Sequence, residues 1–271
     1  MSDMTIGRTL RLLPAQIRLS QQVYWRDIAF AIMGAVMPLV LGLAPAALAS
    51  ESLVYEGVSQ RAWLLSSGIS AAMLFVVYNV INSAARRREQ RIYKRLRCTP
   101  APAHSILLGE AISAAIPAIG QVAIIMVAGH YWLGVAWPVH WPLVIATVVI
   151  GLISLAMLAF GVSGLLPSGE IATWIVTPVL AGLMYLSGAF GAIPDNPVLR
   201  SIHRYVPSAE LTDAMRIGYL GRDVHGFTVG APVDLAAAAH AAYLPLLLLL
   251  VWAAVGLMLF NSFFRWEPRA R

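Results

Sequence analysis

Charge is what this sequence has least of. Only 12% of its 271 residues are Asp, Glu, Lys or Arg, while 59% are hydrophobic, and the mean hydropathy is +0.74. A soluble domain carries about 25% charged and about 45–50% apolar residues. A chain so short of charge cannot cover a water-facing surface, and its solvent is lipid. Lysine is scarcer still: Lys94 is the single example, and Tyr93 precedes it. The G-x-x-x-x-G-K-[ST] phosphate loop, which needs glycine before that lysine, is excluded. H-E-x-x-H and G-x-S-x-G are also missing, so the chain does not read as an enzyme. One cysteine, Cys98, excludes an internal disulfide, and no Cys/His spacing of metal-site type occurs.

What is present is a series of long apolar runs. A hydrocarbon core about 30 Å thick needs about 20 apolar residues as helix. Six stretches qualify: 28–49, 62–82, 105–129, 141–166, 171–192 and 235–260. Backbone groups in lipid must be satisfied within the segment, so the fold class is an all-α membrane protein with six transmembrane helices. Pro38, Pro117, Pro178 and Pro245 interrupt runs and predict kinks. The whole chain, 1–271, reads as one membrane domain: a cytoplasmic or interfacial segment 1–27, a six-span bundle 28–262 and a cytoplasmic tail 263–271. Ala47-Leu48-Ala49 resembles a signal-peptidase site, but the run before it exceeds the 7–15 residues of a signal core.

Basic residues set the topology. With the N-terminus inside, the inner side holds 14 Arg or Lys and the outer side 5. This places both termini in the cytoplasm of a multi-pass protein of the cell membrane. The net charge of +6 sits in short loops, a placement that suits membrane topology rather than nucleic acid.

Three segments are more than plain spans. Residues 10–25 mix Arg11, Arg18 and Gln21 with Leu12, Leu13, Ile17, Val23 and Trp25, which suggests an amphipathic helix on the inner leaflet or an irregular tail. The loop after span two, Arg86-Arg87-Arg88-Glu89-Gln90-Arg91-Ile92-Tyr93-Lys94-Arg95-Leu96-Arg97, places Ile92, Tyr93 and Leu96 on one helical face amid charge. Thr99-Pro100-Ala101-Pro102 then stops the helix. Such a segment either fixes topology and binds anionic lipid or docks an acidic cytoplasmic partner. Between spans five and six, Val198, Leu199, Ile202, Tyr205 and Val206 form one stripe and Leu211, Ala214, Met215, Gly218 and Tyr219 a second. Pro207-Ser208 separates them and offers an N-cap. Two short amphipathic helices would lie on or dip into the outer surface, or the loop packs on its own helices.

Ionisable groups are nearly missing from the spans. Glu110 and Glu170 fall near inner ends, and His240, the one candidate well inside span six, reads as a packing residue. This weakens, without excluding, an ion-gradient-driven transporter or channel acting alone.

Three motifs in order carry a resemblance. Glu89 … Leu96-Arg97-Cys98-Thr99-Pro100 is similar to an E-x-x-x-x-x-x-L-R-x-T-P pattern. Leu186-Ser187-Gly188-Ala189-Phe190 … Ile193-Pro194 looks like a serine–glycine end of span five. Tyr205-Val206-Pro207-Ser208-Ala209-Glu210-Leu211-Thr212-Asp213-Ala214-Met215-Arg216 resembles an L-P-x-x-x-x-x-D-A-x-R element. Together they resemble the permease subunits of ABC-2 type transporters, which export drugs, polysaccharides and lipids. The family often has Gly-Thr after the loop glutamate, where this chain has Arg91-Ile92.

The resemblance implies roles. Arg86, Arg87, Glu89, Arg91, Ile92, Tyr93, Arg95, Leu96, Thr99 and Pro100 would form a coupling helix seated on a separate P-loop ATPase, with the N-terminal segment as an interfacial helix beside it. Pro194, Leu199, Ile202, Pro207, Leu211, Asp213 and Arg216 would belong to two re-entrant external helices capping the path. Met73, Phe75, Met184 and Tyr185 would line a path for hydrophobic or amphipathic cargo, or simply pack. The partners implied are the ATPase, a second permease subunit and membrane lipids. This chain would hold no cofactor, ATP and Mg residing on the partner.

Overall fold

The computed structural model describes residues 2–50, 54–55, 57–98, 103–166, 168–191, 197–226 and 228–264. Thr99, Pro100 and Pro194, and the basic residues of the C-terminal tail, lie outside them. Six helices are long and apolar enough to cross a membrane: Ile28–Leu48, Gln60–Glu89, Ser105–Tyr131, Trp141–Ser163, Gly169–Leu186 and Leu235–Phe263. The count and order match the sequence reading. The largest shift of boundary is in span two, whose helix runs on through Arg86–Arg88 instead of ending at Asn82.

Span two is the central helix. It packs against spans one, three, four and five and against the helix Pro207–Leu220. Within its most apolar stretch 94% of residues are buried, against 17% for the peripheral span six. Lipid supplies no hydrophobic drive between helices, so contact relies on small residues that let backbones approach. Gly68 of span two meets Gly42 of span one in this way: a Cβ on Gly68 would lie 2.0 Å from the Gly42 carbonyl oxygen. A Cβ on Gly256 of span six would lie 2.4 Å from the Leu158 nitrogen of span four.

Span one carries a π-helical turn over Ile32–Val36. Pro38 has no N–H, so the carbonyl four residues earlier, on Gly34, loses its helical donor. Gln121 of span three replaces that donor, bonding the Gly34 oxygen at 2.8 Å and the Ala35 oxygen at 3.1 Å. The kink expected at Pro38 is thus a π-turn satisfied from a neighbouring span.

The N-terminal segment is a helix, Ser2–Arg26, packed along span three. Gln21 donates to the Ser113 carbonyl at 2.7 Å and to its hydroxyl at 3.0 Å, while Val23 and Trp25 face outward. At the opposite end of the bundle the sequence analysis missed two antiparallel hairpins. These are Val54–Tyr55 with Val58–Ser59, and Arg222–His225 with Thr228–Pro232. The second has a readable signal in the alternation of Val224 and Val229 around a His-Gly turn.

For the loop between spans five and six one alternative is selected and one expectation is corrected. The helix Pro207–Leu220 packs on the chain's own spans instead of lying on the surface. Every residue from Pro207 to Tyr219 is buried, because spans two, four and six enclose it. Ser208 does not cap it: Val206 holds that position, and the Ser208 hydroxyl donates to the Leu183 carbonyl at 2.8 Å. The first stripe does form a helix, Pro197–His203, but Val198, Ile202 and Tyr205 point outward.

Candidate functional site

Two polar clusters occupy opposite ends of the bundle. The first surrounds the last turn of span two. Residues one apart on a helix differ by about 100° in direction, so four consecutive side chains sweep most of a circle. Arg86 reaches Asp27 at the start of span one at 2.5 Å, with its guanidinium 5.3 Å from the Phe30 ring centre. Arg87 pairs with Glu110 of span three at 3.5 Å. Arg88 donates to the Ser163 carbonyl at 3.0 Å and to the Leu166 carbonyl, just where span four ends and leaves carbonyls free. Glu89 accepts from the Gly169 N–H at 3.2 Å, at the amino end of span five. Arg87 and Arg88 are buried. The sequence reading placed both in the loop after span two, with Arg87 in the coupling helix; they belong instead to the last turn of span two.

The loop helix proper is Ile92–Arg97. The expected apolar face is present: Tyr93 is fully buried and Ile92 and Leu96 are half-buried, while Arg91, Lys94 and Arg95 are exposed. The Tyr93 hydroxyl donates to Glu110, and its ring packs 6.0 Å from Phe264 below span six. Burial, and then the Glu110 charge, hold the Tyr93 hydroxyl well above its ordinary pKa, so it stays a neutral donor. A cavity of about 100 Å³ adjoins the Glu110–Arg87 pair, lined also by Tyr24, Asp27, Asn79 and Ser113.

Span two turns into this helix through Arg91, at φ 58° and ψ 21°. A left-handed residue with a Cβ costs about 1–2 kcal/mol, which glycine avoids. That is a physical reason for glycine in this neighbourhood of the resembled pattern. Arg91→Gly is expected to be neutral or to stabilise the protein by up to about 1 kcal/mol, and β-branched Arg91→Val to cost about 1–2 kcal/mol, read from thermal unfolding of the purified protein.

The second cluster lies around Arg216 of the helix Pro207–Leu220. Its guanidinium is wholly buried. It donates to the Ser67 hydroxyl at 3.0 and 2.8 Å, to the Gly226 carbonyl at 3.0 Å and to the Gly188 carbonyl at 3.2 Å. It lies 3.9 Å over the Trp63 ring and 3.7 Å from Asp213. Asp213 in turn accepts from the Gly226 N–H at 2.8 Å. One side chain thus joins span two, the turn after span five and the hairpin. Burial pushes the Asp213 carboxyl up, opposed chiefly by Arg216.

Glu210, one turn back, is pushed up to about 7 by burial and by Asp213, with Arg204 opposing. A carboxyl raised in the folded state binds its proton more tightly there. Stability is therefore highest below the unfolded value of 4.5 and falls as pH rises through about 7. Glu210→Gln should leave the thermal midpoint at pH 5 nearly unchanged and raise it at pH 8.

The remaining candidates separate. Met73, Phe75 and Met184 are buried within the bundle of this one chain, whereas Tyr185 is about half-exposed. Met73 lies beside Gly151 together with the buried Leu211. Leu199 is half-buried and Glu170 exposed. His240, expected to be a hydrogen-bonded packing residue, is exposed in the second turn of span six. Glu110, by contrast, is buried at the start of span three and ion-paired.

Six apolar helices, four of them packed on the central span two, with charge confined to their ends, define a multi-pass membrane protein. The chain matches the ABC-2 type transporter family over residues 13–220, more than half its length, and it belongs to that family. It is a membrane permease of ABC-transporter type. A search of curated proteins finds no relative that matches it.

Proposed function

We propose that the chain is the transmembrane permease subunit of an ATP-driven exporter that moves a hydrophobic or amphipathic compound across the cell membrane. A separate cytoplasmic P-loop ATPase drives it, and a second permease subunit completes the path. Export, rather than import, follows the family resemblance. The observation that carries the reading is the loop helix Ile92–Arg97. It anchors Tyr93 inside the protein and turns Arg91, Lys94 and Arg95 outward, a basic surface suited to an acidic cleft. The excess of basic residues at that end supports placing it, and both termini, in the cytoplasm. The ATP and Mg would stay on the partner. The spans then need no proton relay, because energy enters through mechanical contact.

The test is copurification. The chain should bring down a P-loop ATPase from its native membrane. Arg91→Glu with Arg95→Glu should weaken that association about tenfold or more while membrane insertion and thermal midpoint stay normal. Unchanged association in the double variant would refute the docking role.

A further inference from the structure

Taking the proposed ATPase coupling as its premise, we propose that Arg86–Glu89, joined to the loop helix by Glu110 and Tyr93, is the node that distributes movement of that helix to all six spans. Four successive side chains of one helical turn each hold a different span: Asp27 at span one, Glu110 on span three, the carbonyl end of span four and the amino end of span five. Tyr93 adds the end of span six through Phe264. Span two carries the tetrad itself, so no span lacks a link.

These links differ from ordinary packing in two ways. They are charged or dipolar, and those of Arg87 and Arg88 are buried while Arg86 and Asp27 are partly exposed and Glu89 is exposed, so the two inner links hold their geometry more firmly than apolar contacts, which slide. They also sit three to six residues before the loop helix, with only Gln90 and the left-handed Arg91 between. Displacing the helix therefore moves the tetrad before it moves anything farther up the bundle. Glu110 is the positioning residue of this node. One carboxylate oxygen accepts from Tyr93 of the loop helix and the other faces Arg87 of span two. The cavity beside the pair gives it room to rearrange without forcing the packed spans apart.

The native cysteine permits a test that needs no cargo. Cys98 is exposed at the end of the loop helix, and Thr228 is exposed on the hairpin at the opposite end. The chain is purified with its copurifying ATPase and carries one spin label. The label sits at Cys98, or at Thr228→Cys in a Cys98→Ser background. Spectra are recorded without nucleotide and with ATP and vanadate. In the unaltered node both labels should respond. With Glu110→Gln, or with Arg88→Gln, the Cys98 label should still respond and the Thr228→Cys label should lose its response. ATPase association should be retained, and the thermal midpoint, lowered by loss of a buried partner, should stay well above the temperature of the measurement. Glu110→Asp, which keeps both an acceptor for Tyr93 and a charge facing Arg87, should keep the distal response.

A distal label that responds normally in both Glu110→Gln and Arg88→Gln overturns the node. A Glu110→Gln variant that keeps the distal response while Glu110→Asp loses it reduces Glu110 to packing and overturns its positioning role. A Cys98 label silent to nucleotide in the unaltered protein removes the docking reading itself, and the node falls with it.

Discussion

Replacing Arg216 by alanine is expected to be the most damaging single change at the hairpin end of the bundle. The guanidinium is fully buried and fills the space among Ser67, Gly188, Gly226, Asp213 and Trp63. Its removal takes the chief cation from the Asp213 carboxyl, leaving the Gly226 N–H and His203 at 4.0 Å in a site that burial already disfavours, and it uncaps two carbonyls. Breaking a buried ion pair from one side costs about 3–5 kcal/mol. That is a large part of the stability of any domain. The variant should accumulate poorly and show a sharply lowered thermal midpoint. Arg216→Lys should fall between, since one ammonium cannot serve donors spread across a planar fork. A midpoint for Arg216→Ala within a degree of the parent would show that the network contributes little.

The second large effect is expected at Gly68. A methyl there would meet the Gly42 carbonyl oxygen at 2.0 Å, and the obstacle is backbone, with no side chain to swing aside. Spans one and two must separate along their contact. Overpacking of this kind costs about 1–3 kcal/mol. Separation would also strain the Gln121 bonds to Gly34 and Ala35, which hold the π-turn of span one. Gly68→Ala should lower the thermal midpoint, and Gly68→Val should lower it further. The exposed Gly182, where an added Cβ meets nothing within 4 Å, is the control, and Gly182→Ala should be tolerated.

The spans were legible because lipid imposes one simple condition, about 20 apolar residues with internal hydrogen bonds, and six stretches meet it. The inward face of Ile92, Tyr93 and Leu96 was legible for a related reason: periodicity of three and four survives even in a segment of six residues. The fate of the arginines was not. Arg87, Arg88 and Arg216 look in sequence like any other loop cation. Whether such a residue meets water, lipid headgroup or a buried carboxylate depends on contacts across 23 to 149 positions of chain. The depth of the helix Pro207–Leu220 was left open for the same reason. Its stripe of Leu211, Met215 and Tyr219 describes one buried face, and nothing local says that spans two, four and six close over the other. The centrality of span two did leave a trace. Ser66, Ser67, Ser70, Asn79 and Asn82 put polar atoms around a helix that could not face lipid on any side.

That trace bears on how the protein is made. A helix with serine and asparagine on several faces is a poor resident of bare lipid, and span two leaves the ribosome with only span one and the N-terminal helix to cover it. Its companions in spans three, four and five, and the helix Pro207–Leu220, arrive up to 160 residues later. Until then Asn82 lacks the hydroxyl of Thr173, and Ser67 lacks the guanidinium of Arg216. Nascent chains arrested before residue 216 should hold span two near the insertion machinery or its chaperones. Release into the bilayer would come only when the last third of the sequence folds around it.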